Sequence, residues 1–202
     1  MYIANSPFWL QWLYPSLIWH KSRKEKAVYL TFDDGPIPVV TPFVLNTLKT
    51  FNAKATFFCI GDNVARHPEI YQQVLADGHS VGNHTYNHLK GWNTDNEVYL
   101  KNVARCAELV DSNLFRPPYG RAKKSQISSL NTQYSIIMWD VLSGDFDTEI
   151  TAQKCVQNVM SNTQNGSIIV FHDSLKAFPR LQHALPIVLE QLSAKGYRFA
   201  CL

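Results

Sequence analysis

The chain of 202 residues is 46% hydrophobic and 17% charged, an ordinary globular composition that one core can organise as a single domain. Its formal charge of +3 and pI near 8.6 are too mild for a nucleic-acid partner, which needs a basic stripe. The four cysteines are far apart, offer neither a CxxC pair nor zinc-knuckle spacing, and read as buried free thiols.

Residues 1–26 read as an aromatic and basic extension ahead of a domain at 27–202. The stretch 8–19 (FWLQWLYPSLIW) is apolar, and Lys21, Arg23, Lys24 and Lys26 follow it. It has no basic n-region before it and no small-residue cleavage site after it, so it is a poor signal peptide. A dozen residues broken by Gln11 and Pro15 are also too few to span a bilayer. The segment is expected to pack on the domain and close part of its core. Contact with a membrane surface, tryptophans at headgroup depth and cations behind, is the lesser alternative. No export signal is visible, which leaves location open between the cytoplasm and the cell envelope.

From residue 27 onward, strand-like and helix-like runs alternate. Strands are expected at 27–32 (AVYLTF), within 53–60, at 79–82, 114–116, 134–139 (YSIIMW), 167–171 (SIIVF) and 197–201. Helices are expected at 42–51, with Thr41 as N-cap, and at 68–76. Another should open at a Thr94/Glu97 capping box and run to about Val110. Further helices are expected at 125–130, 151–161 and 181–195, the last stopped by Gly196. Such alternation predicts an α/β fold with a mainly parallel sheet and helices outside it. Neither GxGxxG nor GxxxxGK[ST] occurs, so no phosphate cradle is encoded.

The polar residues gather after the strands. Asp33 and Asp34 follow the first, His84 and His88 the third, Arg116 ends the fourth, Asp140 and Asp145 follow the fifth, and His172 and Asp173 the sixth. In a parallel barrel those ends share the face on which barrel enzymes build their sites, so a barrel is the preferred closure. Taken singly the motifs are weak: Asp-Asp-Gly-Pro is also a turn, and two histidines four apart are also surface residues. Taken together, one carboxylate and two imidazoles make a three-ligand set with open positions, the pattern of a catalytic metal centre. A neighbouring carboxylate could serve as base and His172 as acid.

Four ordered motifs resemble those of the polysaccharide deacetylases, carbohydrate esterase family 4. They are Thr31-Phe32-Asp33-Asp34-Gly35-Pro36, His84-Thr85-Tyr86-Asn87-His88, Arg116-Pro117-Pro118-Tyr119-Gly120 and Val170-Phe171-His172-Asp173. The resemblance implies a distorted (β/α)7 barrel, similar to a TIM barrel, and a divalent metal, zinc first, with cobalt, nickel or manganese as alternatives. Carried onto this chain, Asp34, His84 and His88 would be its ligands. Asp33 would be the base, Arg116 its orienting partner, His172 the acid, and the backbone N–H of Tyr119 an oxyanion donor. Asp145 would orient His172, while Phe146, Val170 and Pro117 would line the acetyl pocket. The partner implied is an acetylated glycan, cleaved at an N-acetyl or O-acetyl group. One motif departs from the pattern: Leu142 stands where the family usually carries an acid, and Phe146 where it usually carries tryptophan. The competing readings are an amidohydrolase acting on a small non-glycan amide and a glycan-binding homologue without turnover.

Overall fold

The computed structural model describes residues 3–202. In chain order, the first elements are α1 (Phe8–Leu13), β1 (Ala27–Asp33), α2 (Val40–Thr50), β2 (Ala55–Cys59), α3 (Gly61–Arg66), α4 (Pro68–Ala76) and β3 (Ser80–Asn83). There follow α5 (Asn96–Ala107), β4 (Leu114–Phe115), α6 (Lys124–Leu130), β5 (Ser135–Ile136) and β6 (Val141–Leu142). The chain ends with α7 (Ala152–Asn162), β7 (Ile168–His172), α8 (Phe178–Ala194) and β8 (Arg198–Phe199).

All ladder pairings are parallel, in the order β5-β4-β3-β2-β1-β7-β6, with β8 beside the start of β1. The curled sheet with helices outside it is the expected distorted barrel. β1 sits at its centre, and its AVYLTF run is buried on both faces, as a parallel strand covered on both sides requires. Phe32 stacks between Phe57 and Phe171, at centroid distances of 5.1 and 6.0 Å. Over this layer α8 buries Leu181, Leu185, Val188, Leu189 and Leu192, one stripe of a 3.6-residue period. Parallel strands send every C-terminal end to one face, so Asp33 and His172, paired in register on β1 and β7, meet there.

The sheet does not close on itself. Its edges are β5 and β6, and residues 4–20 run along both. Ile18 exchanges backbone hydrogen bonds with Ile136 and Met138, while Ala4 and Ser6 bond Leu142 and Asp140. Leu17 and Trp19 are buried with Phe115, Ile136 and Met138. The early segment thus covers two open edges that would otherwise expose unpaired backbone. Phe8 and Trp12 of α1 face solvent. Among the described residues no helix is long and apolar enough to cross a membrane.

Several local details differ from the sequence reading. α2 starts at Val40 after Val39 in a left-handed conformation, so Thr41 lies inside the helix rather than capping it. Its buried hydroxyl is engaged elsewhere, between Ile37 N–H and Asp173. α5 is capped by Asp95, which accepts from Glu97 N–H, and not by Thr94, whose hydroxyl turns back to Lys90 O. β6 was not expected: two residues carry no periodic signal. The last expected strand is present only as β8, off the main path. All four cysteines are free, as expected.

Replacing Phe57 by Ala should cost about 3–5 kcal/mol, because it empties the middle of the aromatic stack. Phe8→Ala, on a solvent-facing side chain, should stay within about 0.5 kcal/mol. Guanidinium unfolding of both variants checks the contrast.

Candidate active site

Asp33 ends β1 and Arg116 follows β4. The guanidinium is fully buried and its donors are spent on fixed acceptors. Nη1 donates to Asp33 Oδ1 and to Thr31 Oγ1, both at 2.7 Å. Nε and Nη2 donate to the carbonyls of Ile137 and Met138. Its plane lies 4.1 Å from the Phe58 ring centroid. A cation held on every side is a rigid counter-charge. Burial alone would push the Asp33 carboxyl up, but Arg116 together with His84 and His172 behind it outweighs that and holds it below the usual value.

Asp34 is the next residue, in a left-handed conformation with φ 86° that aims its carboxylate back over the sheet. That conformation is costly for a residue with a Cβ, and its surroundings hold it. Asn63 donates to Asp34 O at 2.7 Å, and Gly35 N–H donates to Asp173 Oδ1 at 3.0 Å. A Cβ on Gly35 would fall 1.9 Å from Asp173 Oδ2, so only glycine fits. Burial pushes the Asp173 carboxyl up to about 8.

His84 and His88 lie in a turn after β3, not on a helix. Asn83 staples that turn by accepting from Thr85 N–H and donating to Val103 O. Thr85 and His88 are both left-handed, with φ 65° and 59°. The three side chains converge: ligand atoms of Asp34, His84 and His88 all lie within 4.8 Å of one another. Asp34 Oδ1 is 3.2 Å from His88 Nε2 and 3.8 Å from His84 Nε2. Asp34 Oδ1 is buried and has no hydrogen-bond partner. His84 Nδ1 lies 2.7 Å from Arg116 O, and as donor to that carbonyl it leaves Nε2 as a lone pair facing the carboxylate. Burial pushes the His84 pKa down to about 4, so the ring is neutral. An orphaned carboxylate oxygen beside two imidazole nitrogens is the donor set a divalent cation fits.

On the opposite wall, His172 ends β7. Asp145, wholly buried, accepts from His172 N–H with one oxygen and sits 2.7 Å from its Nδ1 with the other. Burial works against a charged imidazole, but Asp145 together with Asp34 and Asp33 behind it outweighs that and the His172 pKa rises to about 9. Arg180 in turn donates to Asp145 O at 2.6 Å.

These residues open into a cleft of about 600 Å³ lined by Asp33, Asp34, His84, His88 and His172. Tyr119, Phe146 and Val170 line it too. Pro117 does not. It is buried, just ahead of a turn in which Tyr119 and Gly120 are both left-handed. Gly120 is needed there, since a Cβ would meet the Trp139 ring at 2.5 Å. Sequence reasoning missed Trp139 as a wall residue. Leu142 fills the wall with an apolar side chain where the family usually carries an acid. Asp140 does not stand in for that acid. It is bound by Arg23, Ser167 and Ile168 N–H at the other end of β7.

The fold and this site define a metal-dependent hydrolase of the barrel type, and comparison with known proteins gives the family. The family profile described as polysaccharide deacetylase matches residues 20–134. A peptidoglycan-N-acetylglucosamine deacetylase of Bacillus cereus is 34% identical over 90% of this chain and 88% of its own length. A chitooligosaccharide deacetylase of Azorhizobium caulinodans is 32% identical over 75% of this chain and 76% of its own. Among solved structures, a peptidoglycan N-acetylglucosamine deacetylase in complex with a naphthyl N-oxidanyl-benzamide superposes with a TM-score of 0.90 at 30% identity. It covers 98% of this chain and 95% of its own. The chain belongs to the polysaccharide deacetylase family.

The ligand cluster makes a direct prediction. Adding zinc to the metal-free protein should stabilise it by mass action, by about 2.7 kcal/mol at about a hundred times the Kd, and so raise its unfolding temperature. Asp34→Ala should lose that rise while folding normally without metal. Thermal melts across a zinc series check both.

Proposed function

We propose that the protein removes the N-acetyl group from N-acetylglucosamine residues of peptidoglycan, using zinc held by Asp34, His84 and His88. What supports this most is one pairing of opposites. An acid-side clamp, Asp145 on His172, and a base-side clamp, Arg116 on Asp33, face each other across the three-ligand cluster. A carboxylate kept ionised and an imidazole kept protonated give the two proton positions that amide hydrolysis needs.

The metal, when bound, supplies a Lewis acid that makes water more acidic and polarises the amide carbonyl. This chain's own groups do the rest. Asp33 accepts the proton of the attacking water. The Tyr119 backbone N–H, in the left-handed turn at the cleft wall, donates to the carbonyl oxygen as negative charge develops there. His172 Nε2 gives its proton to the departing sugar amine, so that the C–N bond breaks to acetate and glucosamine. Trp139, Leu142, Phe146 and Val170 form an apolar wall that suits the acetyl methyl. The cleft mouth carries Tyr119, 60% exposed, which favours a sugar stacked in the open over a small amide enclosed in a pocket. The peptidoglycan assignment is supported by the named activity of the relatives. Two imidazoles and a carboxylate support zinc.

Acetate release from N-acetylglucosamine oligomers, peptidoglycan and acetylated xylan tests the reading, with protein stripped of metal and reloaded with zinc or cobalt. Release should need metal and fall at least about 100-fold in Asp33→Asn. Bound metal with no release from any glycan would contradict the proposal. The His172 clamp adds a pH prediction. The acid must be protonated, so activity should fall as pH rises through about 9 in wild type. Asp145→Asn removes the charge that raises that value, so the alkaline limb should move down by about one pH unit or more. The pH profile of kcat/KM reads the shift.

A further inference from the structure

The catalytic groups leave three cations at the cleft unexplained. Lys90, Arg121 and Lys176 all line it, and among the described residues the only acids there are Asp33 and Asp34. Those two are committed to Arg116 and to the histidine cluster. None of the three cations forms an ion pair among the described residues. Their placement is not incidental to one loop. Lys90 follows β3, Arg121 follows β4 and Lys176 follows β7. In the strand order β4-β3-β2-β1-β7 the catalytic carboxylates on β1 therefore lie between the first two and the third.

Two of the cations are held in position by aromatic rings. The Arg121 guanidinium lies 4.8 Å from the centroid of Trp92, and Trp92 is itself fixed by a hydrogen bond to Ala122 O. Lys90 Nζ lies 5.9 Å from the ring of Tyr119, the residue at the mouth. An exposed aromatic ring at the mouth, Tyr119, with cations on both flanks of the cleft, matches a polymer whose sugars carry anions on either side of the one being cleaved. A neutral N-acetylglucosamine oligomer offers these cations neutral hydroxyl and carbonyl acceptors but no counter-charge.

We propose that Lys90, Arg121 and Lys176 form an anion-reading rim that selects glycan strands bearing carboxylates next to the reacting N-acetyl sugar. The inference rests on the deacetylase reading above and narrows its substrate. In a peptidoglycan strand the carboxylate comes from one of two sources: the lactyl group of a peptide-free muramic acid, or the acidic residues of an attached stem peptide.

The test compares kcat and KM on three substrates: an N-acetylglucosamine hexamer, peptide-free alternating strands with free lactyl carboxylates, and the same strands with stems attached. Wild type should show a KM about five- to tenfold lower on a carboxylate-bearing strand than on the hexamer, and the gap should shrink as salt rises. The strand that shows the gap identifies the source. The triple variant Lys90→Gln, Arg121→Gln, Lys176→Gln should lose the gap through KM, with hexamer kinetics within about twofold of wild type. Lys176→Gln alone, on an exposed side chain, should move KM the same way by a smaller factor. Equal KM on neutral and anionic strands, or a gap that survives the triple variant, would overturn the rim while leaving the deacetylase intact. No acetate from any of the three would overturn the deacetylase reading and the rim with it.

Discussion

The site depends on one buried ion pair. Arg116 and Asp33 come from strands that are not neighbours, β4 and β1, and their contact spans the interior of the curled sheet. Removing either partner would leave a charge stranded without water, at a cost of about 3–5 kcal/mol. The fold therefore meets that demand with many constraints on one guanidinium. Thr31, Ile137, Met138 and the Phe58 ring all hold it. The same residue links Asp33 to the Asp34–His84–His88 cluster, because Arg116 O lies 2.7 Å from His84 Nδ1. One side chain and its own carbonyl thus touch both Asp33 and a residue of the proposed ligand set.

The second half of the site repeats the logic with opposite sign. Asp145 is buried to hold a histidine charged, as Arg116 is buried to hold a carboxylate charged. Each clamp is anchored by a further shell, Thr31 for the first and Arg180 for the second. The left-handed residues Asp34, Thr85, His88 and Tyr119 cluster between the clamps. Strain of that kind persists where the surroundings over-determine the backbone.

Much of this was legible in the sequence. Strand runs such as AVYLTF and SIIVF placed Asp33, Asp34, His172 and Asp173 at strand ends, and the parallel alternation put those ends on one face. The positions of these residues at strand ends were therefore readable, because they follow from the period of the chain. What was not legible depends on contacts between distant segments. Thr41 looked like a cap, and only the packing of α2 against the loop after β7 shows its hydroxyl serving Asp173. Asp173 itself looked like a neighbour of His172 rather than the post that holds the Asp34 turn. Pro117 looked like a pocket residue because the left-handed pair after Pro118 leaves no signal in composition. The edge-covering path of residues 4–20 was foreseen only as packing, since β6 is too short to announce the edge it pairs with.

The most direct test of the account is the acid limb of kcat/KM in Arg116→Lys, measured with metal bound on an N-acetylglucosamine oligomer. A lysine keeps the charge but cannot make the guanidinium's fixed set of bonds. If Arg116 holds Asp33 ionised, the acid limb moves up by about one pH unit or more and activity is lost at a higher pH than in wild type. An acid limb that stays where wild type has it, with only a uniform fall in rate, would contradict the account.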